Sequence, residues 1–196
     1  MYRLINQNRE AIIADLSRIN DVAQYLQLRE DMRSGRVNVE SDSEFQRRYR
    51  TYWRMNVARL GTSFYAKYFQ LLARCQQHGS PDIGAIVRDL AADEHGEKQW
   101  LQFSFATKLA HMVDPRTPVY DSFVAAFYFY AAPTNELPFS ERLSALLTFH
   151  SFLQREYKRI IHHGLLNDAI QAFRARFQID HAICPPPPPQ PPSDTA

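Results

Sequence analysis

Apolar side chains return at helical spacing along nearly the whole of this chain, and that period restricts it to an all-α fold. Ile12, Ile13, Leu16, Ile19 and Val22 share such a pattern, which continues through Tyr25, Leu26 and Leu28 to a stop near Gly35. Ser41 with Glu44 three positions on has the form of a capping box and opens a helix over about 42–59. Gly61 breaks that helix, and Thr62 can cap the next, which carries Phe64, Tyr65, Tyr68, Phe69, Leu71 and Leu72 and ends at Gly79-Ser80-Pro81. Further helical patterns cover about 82–93, 97–113, 122–132, 140–163 and 166–178, with Gly164 between the last two. No strand, hairpin or internal repeat is legible. The expectation is one orthogonal domain of about eight helices over residues 1–182.

The 196 residues are 45% hydrophobic and 22% charged, enough for one sizeable core. Only six glycines occur, and no phosphate-cradling glycine loop is among them. Cys75 and Cys184 stand far apart, without the spacing of a disulfide framework or a zinc site, and the expectation is a reducing, cytoplasmic setting. The opening MYRLINQNREAII meets charge too early for a signal peptide, and no apolar run approaches a bilayer span, so no membrane partner is expected. From residue 183 the chain reads ICPPPPPQPPSDTA. Prolines without amide protons favour an extended form, so residues 183–196 are expected to be a disordered tail that could dock a protein partner's aromatic groove.

A net charge of +2 argues little, but its distribution argues more. Residues 45–59, FQRRYRTYWRMNVAR, hold Arg47, Arg48, Arg50, Arg54 and Arg59 with no acid, interleaved with Phe45, Tyr49, Tyr52 and Trp53. On a continuous helix Arg47, Arg50 and Arg54 share a face and the aromatics lie opposite. Guanidinium forks suit phosphate and aromatic rings suit unstacked bases, so DNA is the expected partner. An ordinary amphipathic helix, with an aromatic core face and a solvated basic face, has the same pattern.

A second stretch, residues 97–113, carries Lys108 between two stripes. With Lys108 at zero, Leu101, Met112 and Phe105 fall at about +20°, +40° and +60°, and Ser104, His111, Trp100 and Thr107 at about −40°, −60°, −80° and −100°. A lysine on such a seam is partly desolvated, which lowers its pKa toward that of a nucleophile. Its plain alternative is a stem laid on the core with the amine in water. Asp114-Pro115 ends this helix, and an extended strap through Thr117-Pro118 leads to Asp121-Ser122, one of which is expected to cap the next helix.

Thr107-Lys108, the strap from Asp114 to Thr117, and Pro118-Val119-Tyr120-Asp121 together resemble the catalytic region of helix-hairpin-helix DNA glycosylases. Tyr120 is inserted between the valine and the aspartate of the family's Pro-Val-Asp element. The family's glycine hairpin has no counterpart: Trp100-Leu101-Gln102-Phe103-Ser104-Phe105-Ala106 stands in its place. The resemblance implies a DNA-glycosylase-like helical fold and excision of a damaged or modified base, including a phage-modified one; the chain has no cysteine cluster for an iron–sulfur centre, and no cofactor or metal is expected. Lys108 maps to the lysine of bifunctional members and Asp121 to the family aspartate. It further implies that Trp100 or Tyr120 faces the flipped base, that Gln102, Ser104 and His111 line the site, and that Lys98, Gln102 or the arginines Arg47, Arg50 and Arg54 grip phosphate.

Two other readings compete. A helical module could bind nucleic acid or protein without catalysis. Arg155 and His162, in REYKRIIHH, are similar to the arginine–histidine pair of HEPN-type ribonucleases, though at a different spacing. His95 beside Asp93 and Glu94 lacks a second histidine at metal-ligand spacing.

Overall fold

The computed structural model describes residues 1–17, 21–58, 60–92 and 101–179. Every regular element among them is helical, so the protein is all-α, as the apolar period requires. None of the described helices is long and apolar enough to cross a membrane. The segment 93–100 and the proline-rich tail, on which several expectations fall, lie outside the described residues.

The residues expected to form one helical domain group into two compact units. The first comprises Met1–Leu26 and Arg155–Ala196, the second Gln27–Gln154. In the first unit, α1 (Tyr2–Gln7) and α2 (Arg9–Ser17) pack with α10 (Asn167–Phe177). Asn6 ties this packing together: its amide donates to the Leu165 carbonyl at 3.0 Å and its oxygen accepts from the Ala169 amide at 3.2 Å. Tyr2 donates to Glu156, which also forms a forked pair with Arg159. Both residues belong to α9 (Phe139–His162), which contributes to both units, as does α3 (Asp21–Arg33). The continuous period from Ile12 toward Gly35 is thus divided between α2 and α3.

In the second unit the elements are the rest of α3, α4 (Ser43–Tyr52), a 3₁₀ turn at Met55–Ala58, α5 (Thr62–His78), α6 (Ile83–Ala91), α7 (Phe103–Val113), α8 (Ser122–Phe127) and the first part of α9. Helices α5, α6 and α7 pack mutually around Tyr68, Phe69, Leu72, Val87, Leu90, Phe103, Ala106 and Leu109, each fully or nearly fully buried. Burying one large apolar side chain of this kind stabilises by about 1.5–3 kcal/mol. Tyr49 and Tyr68 bring hydroxyls into this core and satisfy them internally. Their oxygens lie 2.9 Å apart, and the Tyr68 hydroxyl reaches the Phe105 carbonyl at 3.2 Å. Cys75 is a free, buried thiol.

Several boundaries differ from the sequence expectation. Asp42, not Ser41, caps α4, its carboxylate accepting the Phe45 amide at 2.8 Å. Gly61 holds the cap position of α5, and Thr62 is the first helical residue without a side-chain cap. The helix expected over 42–59 stops at Tyr52, and Arg54 adopts φ 53°. No glycine or proline marks that stop. Trp53 instead turns its ring edge-on to Tyr52 and to His111, with centroids at 4.8 and 6.2 Å. The helix expected over 122–132 likewise ends at Phe127, with Phe129 at φ 54°.

Candidate functional site

The strap between α7 and α8 is held by three side chains, each meeting a different main-chain group. The Thr107 hydroxyl accepts the Tyr120 amide at 3.0 Å while donating to the Ser104 carbonyl one turn back at 3.0 Å. His111 Nδ1 donates to the Thr117 carbonyl at 2.8 Å. His150, buried on α9, donates from Nε2 to the Pro118 carbonyl at 2.9 Å. Asp114 starts the strap with a turn, its carboxylate bridging the Arg116 amide at 3.1 Å and guanidinium at 2.9 Å. Pro115 and Pro118 bring no amide protons, so the strap has few donors to satisfy and its carbonyls are taken by imidazoles. Burial pulls both imidazoles below the usual histidine range, although their bonds to the carbonyls oppose it. Each is therefore neutral near pH 7, with its bonding nitrogen protonated.

The strap delivers Asp121 to the N-cap of α8. Asp121 Oδ1 accepts the Val124 amide at 2.8 Å, as the cap expectation for Asp121-Ser122 required. Oδ2 has no hydrogen-bond partner among the described residues.

Lys108 projects from the middle of α7 and is half-buried, between the buried Thr107 and Leu109. Its amine donates to the Trp53 main-chain oxygen at 3.3 Å and lies 5.2 Å from the Phe105 ring and 5.7 Å from the Trp53 ring. Carbonyls at the C-terminal end of a helix have no intrahelical amide to accept from, and Trp53 is the C-cap of α4. The chain's departure from α4 at Trp53 puts its carbonyl beside Lys108. Burial lowers the Lys108 pKa below the usual lysine range; the Asp121 carboxylate opposes the shift and the Arg54 guanidinium adds to it. The Asp121 carboxylate thus acts on the charge of Lys108 within one unit.

The arginine face expected on one helix is divided. Arg47 is exposed and paired with Glu44 at 2.7 Å, one turn toward the N-terminus and just outside the acid-free stretch. Arg48 pairs with the buried Asp31 at 2.6 Å. Arg50 lies 4.8 Å over the Tyr65 ring. Arg54, at its positive φ beyond the end of α4, does not continue the row of Arg47 and Arg50. Phe45 and Tyr49 of the interleaved aromatics are fully buried, so they serve the core.

Of the other expected residues, Gln102 sits at the N-cap of α7 without a side-chain cap bond, and Ser104 is half-buried with its carbonyl bound to Thr107. Tyr120 is only 9% exposed and packs edge-on to Phe103 and Phe149, with centroids at 5.3 and 6.0 Å. Lys98 and Trp100 lie outside the described residues, as do His95 and its acidic neighbours. Arg155 and His162 are both exposed on α9. The site also contains residues not singled out from sequence as parts of it: Trp53, His150 and Arg29, whose charge acts on His111 and Asp114. Trp53 stood in the aromatic pattern of residues 45–59, whereas nothing in the sequence marked the other two. In comparisons with known proteins, no family model, no curated protein and no solved structure matches this chain.

Proposed function

We propose that the Gln27–Gln154 unit is a divergent, DNA-glycosylase-like module that binds DNA, takes a nucleotide out of the stack and excises a damaged or modified base, such as one carried by phage DNA. What supports the reading is one observation above all. Lys108, its ammonium disfavoured by burial, feels the charge of the Asp121 carboxylate at the end of a pinned strap. Such a lysine is a better nucleophile than a solvated one, because more of it is neutral at a given pH.

The chemistry follows from those two groups. The Lys108 amine attacks the anomeric carbon as the bond to the base breaks, and the base leaves with that electron pair and is protonated. Asp121 stabilises the cationic sugar as it develops and takes the proton the amine loses. Opening of the sugar ring gives a Schiff base, which water hydrolyses or which eliminates the 3′ phosphate. With Lys108 acting only structurally, Asp121 would direct a water and leave an abasic site without a nick. Extrahelical presentation of the base is required, since neither group could reach the anomeric carbon inside a stacked duplex.

The test is borohydride trapping on a panel of duplexes carrying damaged and modified bases. The expected result is a covalent protein–DNA adduct that is lost in Lys108→Ala. Asp121→Asn should abolish release while leaving the fold intact, because asparagine also caps helices well. An adduct that persists in Lys108→Ala moves the nucleophile elsewhere, with Lys98 the next candidate. Tight DNA binding without release on any duplex would establish a non-catalytic helical binder.

A further inference from the structure

Several buried side-chain donors of the second unit, Arg50 Nε among them, lack an acceptor among the described residues, and two of them act near His111. The indole nitrogen of Trp53 and one terminal nitrogen of Arg29 are buried and unpartnered. Buried polar groups are almost always hydrogen-bonded, and leaving one unpaired costs about 1–3 kcal/mol. Two such donors near one imidazole therefore call for an explanation. The Trp53 ring lies edge-on to His111 at 6.2 Å, and the Arg29 charge acts on the same His111 and on Asp114 at the end of its helix.

The local charge favours an anion. Arg29, Lys108 and Arg54 are cationic; against them stand Asp121 and an Asp114 already forked to Arg116. With Arg116 counted beside Asp114, the cations still outnumber the carboxylates, an excess that an anion would reduce. A guanidinium and a neutral indole N–H can bind two oxygens of one phosphate, the guanidinium supplying charge and the indole a directed bond. Both donor atoms are buried, so a ligand that reaches them must be taken into the protein, as an unstacked nucleotide is.

We infer that Arg29 and Trp53 form a phosphate-binding floor beside His111, supplying through side chains the grip for which this chain has no glycine loop. The assignment deepens the proposed base-excision reading and rests on it only for the source of the phosphate, which is either a polynucleotide or a free phosphate.

The experiment follows the two indole N–H resonances of the full chain by proton–nitrogen correlation spectroscopy, with Trp53→Phe identifying the Trp53 signal. One arm adds inorganic phosphate and the other a short oligonucleotide duplex with an abasic site, each against chloride at matched ionic strength. The Trp53 signal is expected to move downfield in both arms. Arg29→Gln should weaken both titrations at least about tenfold, and Arg29→Lys, which keeps the charge without the fork, should fall between. Movement with the duplex alone upholds the floor as a polynucleotide contact. Movement with inorganic phosphate alone upholds it as a free-phosphate site and removes the DNA reading. A Trp53 signal unmoved in both arms, or moved equally in Arg29→Gln and Arg29→Lys, overturns the inference and assigns the two donors to buried water. Failure of borohydride trapping with a moving Trp53 signal would sink covalent catalysis and leave the floor standing.

Discussion

The hydroxyl of Thr107 receives the amide proton of Tyr120, thirteen residues away, at 3.0 Å. Both groups are buried. This bond registers the strap against α7, and with it the position of Asp121 relative to Lys108 one residue further along each segment.

Thr107→Val keeps the shape of the side chain and removes the acceptor. The Tyr120 amide is then buried without a partner, at a cost of about 1–3 kcal/mol. Urea denaturation should show this loss, and hydrogen exchange at Tyr120 should accelerate in step with it. Unchanged exchange at that amide would show that the strap is held by His111 and His150 alone.

Lys108 should imprint a pH dependence on stability. Burial depresses its folded pKa, so the folded chain sheds this proton at lower pH than the unfolded chain does. Between the folded value and the ordinary lysine value of about 10.4, the unfolded state binds more protons, and stability rises with pH. Lys108→Met retains the buried stem without the charge. The stability of the wild type relative to this variant should therefore improve as the medium is made alkaline through that window and stay level below it. Parallel curves up to pH ~10.4 would return Lys108 to a solvated amine.

The hydroxyls of Tyr49 and Tyr68, 2.9 Å apart, provide a test of the core. Tyr68→Phe deprives both the Tyr49 hydroxyl and the Phe105 carbonyl of a partner, with an expected loss of about 1–3 kcal/mol. The double variant with Tyr49→Phe should lose clearly less than the sum of the two single changes, since it removes donor and acceptor together. Strict additivity would show that water already serves these groups.

Acid should weaken the first unit through Glu156. Its bond with Arg159, assisted by Tyr2, holds the carboxyl at about 2. The folded pKa is depressed, so this contribution is complete above the unfolded value of about 4.3 and disappears as pH falls toward the folded one. Glu156→Gln should lower the melting temperature slightly at neutral pH, because the arginine side of the pair faces solvent. The gap between variant and wild type should close on acidification through that range.

What was legible in the sequence was local. The 3.6-residue period gave the helices, and Gly35, Gly79 and Gly164 marked turns at φ 65°, 70° and 61°, where a side chain would be strained. The seam position of Lys108 followed from its neighbours on one helix. What was not legible depended on distant partners. α4 stops at Tyr52 because the Trp53 ring packs toward His111 of α7, and no punctuation residue announces that. His150 lies on α9 and meets the strap through a carbonyl, a group that carries no side-chain signature. The arginine row failed for the same reason: it assumed a helix that continued past Trp53.

Arg54 presents a protein engineer with a conflict. A non-glycine residue in the left-handed region carries a penalty of about 1–2 kcal/mol, which glycine escapes in exchange for greater freedom in the unfolded chain. Arg54→Gly is thus the substitution a stability screen would be inclined to retain. The same change withdraws a cation that helps hold Lys108 below its ordinary pKa. Selection for heat resistance at this position would drift toward a calmer backbone and a less reactive amine, so the arginine at that bend is best left out of any thermostabilising library.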